Sequence, residues 1–182
     1  LPNKIIEEGS LLPETYFYSS NDSKVSMIER MQASMTKAID ELWAARDLRI
    51  PVRSKKDAII LASIVEKETG AAEERPQVAS VFTNRLRRYM KLQSDPTVIY
   101  SYAFGDKSLE RPIRMSDLQN SSPYNTYHIY GLPKEPICNP GIAAIKAVLN
   151  PPKTDYLYFV ATGKGSHHFS KNLKEHNRYV VK

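Results

Sequence analysis

Two glutamates close an apolar run, Ile59-Ile60-Leu61-Ala62-Ser63-Ile64-Val65-Glu66-Lys67-Glu68-Thr69-Gly70. At about 100° per residue, a helix puts Glu68 on the line of Ile60 and Ile64, close to Leu61 and Val65. Glu66 follows Ile59 and Ala62, about 200° away. A carboxyl carried toward the core loses water, and burial raises its pKa because the charged form is disfavoured. The partial negative charge of a helix C-terminal end pushes the same way. A glutamate that keeps its proton near neutral pH can protonate a leaving oxygen, as general acids do in glycoside cleavage. Glu68 is therefore the first candidate acid and Glu66 the competing one. In ordinary surroundings either would be a surface partner for Lys67 or Arg75.

Other polar residues could bind what such an acid attacks. Gln93, Ser94 and Asp95 could hydrogen-bond sugar hydroxyls, although Asp95 followed by Pro96 also reads as a helix cap. Tyr124, Asn125 and Tyr127 offer a stacking face and an amide, suited to the apolar face and polar rim of a sugar; packing of the loop on its own body would use them equally well. Asn139 reads as a helix cap first and a ligand second. His167 and His168 would point to opposite faces of a strand and so cannot share an ion, and no metal site is expected. Gly163-Lys164-Gly165 lacks the third glycine and the following helix of a phosphate cradle. The single Cys138 can form neither an internal disulfide nor a cysteine zinc site. No cofactor is expected.

These residues need elements to hold them. Ile28, Met31, Met35, Ile39 and Leu42 recur at helical spacing, which predicts a first helix over Ser23 to about Arg46 with Ser23 as cap. A second runs from about Lys56 to Thr69 and stops at Gly70. A third starts near Pro76 and turns Val78, Val81, Phe82 and Leu86 inward. Asp95-Pro96-Thr97 and Asn139-Pro140 start two more, the latter before Ile142 to Leu149. Between them, Gly105 to Pro136 is rich in turn residues and is predicted to carry binding loops. Tyr156 to Val160 and His167 to Ser170 form a hairpin around Gly163 to Gly165, followed by a last helix from Asn172 to about Val181. The predicted fold is α+β: several helices around a cleft, with a small antiparallel sheet that includes this C-terminal hairpin.

With 182 residues, 41% hydrophobic and 25% charged, the chain can bury one sizeable core. Its 26 Lys and Arg against 20 Asp and Glu give +6, which suits an acidic polymer. The basic residues are scattered, with small clusters at Lys55-Lys56 and Arg85 to Arg88 that read as solvated helix faces. No nucleic-acid motif is present, so nucleic acid is not an expected partner.

Ser63 to Gly70, then Glu73-Glu74-Arg75-Pro76, Val78 to Phe82 and Asn84-Arg85-Leu86, closely resemble the endolytic murein transglycosylase (YceG-like) family. So do Leu92-Gln93-Ser94-Asp95-Pro96-Thr97-Val98-Ile99-Tyr100, Ser122 to Tyr127, Gly131-Leu132-Pro133, Asn139-Pro140-Gly141 and Asp155 to Ala161. The resemblance covers nearly the whole chain in one order. Ser101, where the family usually has glycine, and Gly165-Ser166-His167-His168 depart from it and affect loop shape.

The resemblance implies cleavage within peptidoglycan strands, between N-acetylmuramic acid and N-acetylglucosamine, by attack of the muramic acid's own C6 hydroxyl. One carboxyl then suffices as acid and base. Glu68-Thr69 imitates the glutamate-serine pair of related lytic enzymes better than Glu66-Lys67 does. The resemblance also implies that residues 1–182 are one YceG-like catalytic domain. It would face the periplasm or outer side of the inner, cytoplasmic membrane in the cell envelope. A single-pass anchor and a wall-binding subdomain would lie outside this chain, and peptidoglycan synthases are possible partners. A hydrolytic muramidase and a non-catalytic peptidoglycan-binding module are the alternatives.

Overall fold

Every residue from Ala58 to Val65 is buried, so the helix that carries them must be enclosed on all sides. The computed structural model describes residues 6–103, 109 and 111–180. Among them are seven helices and one two-stranded antiparallel sheet, an α+β fold as predicted. The enclosed helix, α2 (Lys55–Glu68), is packed by α1 (Lys24–Ala44), α3 (Arg75–Arg87), α4 (Asp95–Ala103) and α6 (Ile142–Leu149). Its start is capped by the Ser54 hydroxyl, which accepts the Asp57 N–H at 3.0 Å. Its end differs from expectation. Gly70 has no positive φ, and the helix stops because Thr69 turns extended (φ −139°, ψ 131°). The Thr69 hydroxyl accepts the Ala71 N–H at 3.0 Å and fixes the exit.

The first helix, α1, covers the core from outside through Met35 and Ile39, and Ser23 with Ser26 forms a reciprocal capping box at its start. In α6, Ala144 and Ala147 let the backbone approach, while Ile145, Val148 and Leu149 fill the space between α1, α2 and α3. After a short 3-10 turn at Ala72–Glu74, α3 carries Pro76 in its first turn and buries Val78, Ala79, Val81 and Phe82. None of the described helices is long and apolar enough to cross a membrane.

The predicted loop region between α4 and α6 holds only the short α5 (Met115–Leu118) among its described residues, and Gly105 lies outside them. Side-chain bonds replace regular structure there. The Asn125 amide, fully buried, donates to the Leu118 carbonyl at 3.1 Å and to that of Asn120 at 2.7 Å. Arg111 grips Asp117 through two bonds of 2.6 and 3.0 Å.

The hairpin pairs β1 (Tyr158–Ala161) with β2 (His167–Ser170) in the register Phe159 opposite Phe169. Phe159 sits edge-on to Phe82 at 5.8 Å between ring centroids, which docks the sheet on α3. The other face meets α7 (Leu173–Tyr179), where Tyr158 stacks on His176 and His168 on Tyr179. The predicted helix end at Val181 lies outside the described residues.

Gly9 marks how tightly the N-terminal segment closes the core. It has φ +80°, and a Cβ there would stand 2.6 Å from Pro136 Cγ and 2.8 Å from Ile59 Cγ2. Gly9→Ala is expected to cost roughly 1–3 kcal/mol in urea unfolding, through both the clash and the left-handed backbone.

Candidate active site

Glu68 is the last residue of α2, half-buried, with its carboxyl turned toward the turn that precedes α4. Ser94, itself buried, donates its hydroxyl to Glu68 Oε1 at 2.5 Å. A chain of hydroxyls fixes Ser94 in turn. Its N–H donates to Thr126 Oγ1 at 2.9 Å, and its carbonyl accepts the Thr97 hydroxyl at 2.6 Å. The two threonine hydroxyls lie 2.8 Å apart. Since Thr97 spends its proton on the Ser94 carbonyl, Thr126 is the donor of that pair.

Burial pushes the Glu68 carboxyl from 4.5 up to about 7. The Ser94 hydroxyl opposes this by favouring the carboxylate, Asp95 adds to it by like charge, and the neighbouring His167 and Arg85 oppose it. Asp95 is the first residue of α4 rather than the cap expected before it. Its carboxylate Oδ1 accepts the Tyr127 hydroxyl at 2.6 Å. Tyr127 is held well above its ordinary pKa by burial and by Asp95.

Gln93 precedes Ser94 with φ 51°, a left-handed conformation that a non-glycine residue adopts only under constraint. The constraint comes from both sides. The Gln93 N–H donates to the Thr126 carbonyl at 3.1 Å, and its side-chain oxygen accepts from Arg85 Nη1 at 3.3 Å. Arg85, expected in a solvated basic cluster, is in fact buried. It spans the site's support, donating to the Leu92 carbonyl at 2.9 Å and to the Leu157 carbonyl at 2.7 Å. Asn84 beside it holds the Thr154 and Tyr156 carbonyls.

The hairpin is fastened to the exit of α2. Glu74 accepts the His167 backbone N–H at 2.8 Å and lies 2.6 Å from the ring nitrogen Nδ1. A groove of about 660 Å³ opens between Thr69–Ala71 and the hairpin residues Ala161, Gly163, Gly165, Ser166 and His167. It begins one residue beyond Glu68.

Glu66 is engaged elsewhere. Its Oε1 accepts from Arg75 Nη2 at 3.1 Å and its Oε2 from the Gly141 N–H at 3.0 Å, so it clamps α2 to α3 and to the start of α6. Helical phase does not by itself separate the two acids, because Ile59 and Ala62 on the Glu66 line are buried as Ile60 and Ile64 are. Their partners do.

Of the residues singled out from sequence, Glu68, Gln93, Ser94, Asp95 and Tyr127 come together. Tyr124 does not join them, packing on Tyr100 at 4.9 Å with Glu135 and Lys56 as its charged neighbours. Asn125 is spent on loop carbonyls and on the Tyr127 N–H. Asn139 caps no helix. It accepts the Leu11 N–H at 3.0 Å, while Gly141 occupies the cap of α6 without a side-chain bond. Arg85, Thr126 and the Glu74–His167 pair were missed. Arg85 had a signal, since it follows Val78 and Phe82 on one helical face. Glu74 and His167, 93 residues apart, had none.

The YceG-like family model matches residues 2–182. A protein of Bacillus subtilis named endolytic murein transglycosylase is 39% identical over 94% of this chain, and one of Streptococcus pneumoniae bearing the same name is 34% identical over 96%. The chain spans 46% and 32% of their respective lengths. The crystal structure of a YceG-like protein of Listeria monocytogenes superposes with a TM-score of 0.77 at 39% identity, over 93% of this chain and 54% of that one.

A carboxyl raised from 4.5 to about 7 makes the folded state bind a proton that the unfolded chain releases. Stability from this source is complete below pH 4.5 and is lost as pH rises through 7. At 1.36 kcal/mol per pH unit the loss is on the order of 1–3 kcal/mol. Urea unfolding is expected to show Glu68→Gln gaining on the parent chain between pH 5 and pH 8 by that amount.

Proposed function

Since the chain belongs to the YceG-like family, we propose that it cuts peptidoglycan glycan strands internally as a lytic transglycosylase, with Glu68 as general acid and then general base. The observation that carries this reading is the Glu68–Ser94 pair: a desolvated carboxyl with one oxygen already committed. Because Ser94 donates to Oε1, the carboxyl proton belongs on Oε2, the oxygen left for substrate.

The reaction follows with its atoms balanced. Glu68 gives its proton to the oxygen bridging N-acetylmuramic acid C1 to N-acetylglucosamine, and the C1–O bond breaks with positive charge developing at C1. The carboxylate, stabilised by the Ser94 hydroxyl, then takes the proton of the C6 hydroxyl as that oxygen attacks C1. The products are a 1,6-anhydro end and a free N-acetylglucosamine hydroxyl, with no water consumed. Asp95, tied to Tyr127, places a negative charge near the reacting centre, where it favours both the protonated acid and the cationic transition state. Peptidoglycan sets the place of action in the cell envelope.

Purified sacculi test the reading. Anhydro-muropeptides, lighter by one water than hydrolytic products, are expected by mass spectrometry. Glu68→Gln is expected to lower their formation about 10²–10⁴-fold. A folded chain that releases none, or full activity in Glu68→Gln, contradicts the proposal. Because the protonated acid is the active form, kcat/KM is expected to fall about tenfold per pH unit above pH 7. Glu66→Gln is expected to lower the melting temperature by loosening the α3 and α6 clamp, while cleavage by the folded fraction persists.

A further inference from the structure

The end of α3 carries a tyrosine where helices favour glycine. Tyr89 N–H donates to the Leu86 carbonyl at 3.2 Å and Met90 N–H to that of Arg85 at 2.9 Å, the paired bonds of a Schellman motif. That motif needs a left-handed residue after the cap, and Tyr89 supplies it with φ 54°. A bulky residue in this conformation is strained, and burial does not compensate, because Tyr89 is 87% exposed. Strain held at an exposed aromatic points to a use for the ring.

Tyr89 stands on the rim of a groove of about 490 Å³, and Tyr130, 72% exposed, lines it as well. Arg53 and Arg87 line the same groove. Arg87 gives one N–H to the Arg49 carbonyl at 2.9 Å, and Asp57, the acid of the wall, accepts the Arg53 backbone N–H. Lys91 connects this groove to the catalytic end. Its ammonium lies 5.1 Å from the Tyr130 ring centroid and donates to the Tyr127 carbonyl at 3.1 Å, and the Tyr127 hydroxyl bonds Asp95 beside Glu68. Tyr130, Lys91 and Tyr127 thus link the groove of Tyr89 to the residues around Glu68.

The geometry points to a distal glycan subsite: Tyr89 and Tyr130 stack on sugar rings of the strand whose scissile bond lies at Glu68, and Arg53, Arg87 and Lys91 hold carboxylates of its stem peptides. This rests on the proposed action on peptidoglycan. Aromatic rings suit the C–H faces of sugars, and two arginines against one acid in the groove, with Lys91 beside it, suit an anionic strand better than a neutral polysaccharide. The subsite lets the enzyme hold a strand on one side of the cut, as internal cleavage requires.

Binding of soluble, uncross-linked peptidoglycan strands to the Glu68→Gln chain tests it without cleavage. Adding Tyr89→Gly is expected to raise the melting temperature by about 2 °C by relieving strain, and to weaken binding about tenfold by removing a ring. Tyr130→Ala is expected to weaken binding similarly, and strands stripped of stem peptides to bind several-fold more weakly. Unchanged affinity in the folded Tyr89→Gly variant overturns the subsite. The parent chain's action on sacculi is read separately. Cleavage with Tyr89-independent binding overturns the subsite alone, and Tyr89-dependent binding without cleavage overturns the reaction alone.

Discussion

A carboxyl at the end of a fully enclosed helix is short of water, and the structure is organised around that shortage at Glu68. Eight successive buried residues of α2 bring the chain out of the core one turn before Glu68. Thr69 then turns the backbone away, leaving the carboxyl among protein atoms with the Ser94 hydroxyl as its one hydrogen-bond partner among the described residues. Burial outweighs that hydroxyl, and the acid stays protonated to near neutral pH.

The residues around Ser94 keep it aimed. The Thr97 and Thr126 hydroxyls fix its backbone, Arg85 ties the strained Gln93 turn to the strand entering β1, and Glu74 fastens β2 beside the exit of α2. These contacts come from four separate stretches of chain, so the site is assembled only when the core is. Glu66 contributes from the same helix by a different route. Bonded to Arg75 and to the Gly141 N–H, it holds the neighbours of α2 in register. Two acids two residues apart thus divide their work by partner: one has both oxygens bonded, the other is short of water with one oxygen bonded.

Helix periodicity made α1 and α3 legible, the apolar run α2, the Asn139-Pro140 start α6, and strand composition around a glycine turn the hairpin. Turn chemistry was less reliable. Asp95 and Asn139 both precede proline and both read as caps, yet tertiary partners, the Tyr127 hydroxyl and the Leu11 N–H, claim their side chains. Asn125 looked available to a sugar, but a long loop without regular structure must satisfy its own carbonyls, and a buried amide does so. Helical phase favours Glu68 over Glu66, but α2 is buried all round from Ala58 to Val65, so the distinction rests on contacts no local pattern encodes. Glu74 with His167 is of the same kind, a pairing that exists only after the hairpin folds back.

The central claim is that Glu68 carries a proton near neutral pH, and a carbon-13 NMR titration of the glutamate side-chain carboxyls measures it directly, with Glu68→Gln to assign the resonance. One carboxyl titrating near pH 7, absent from the variant, is the expected result. A Glu68 resonance with its midpoint in the ordinary range near 4.5 would contradict the account.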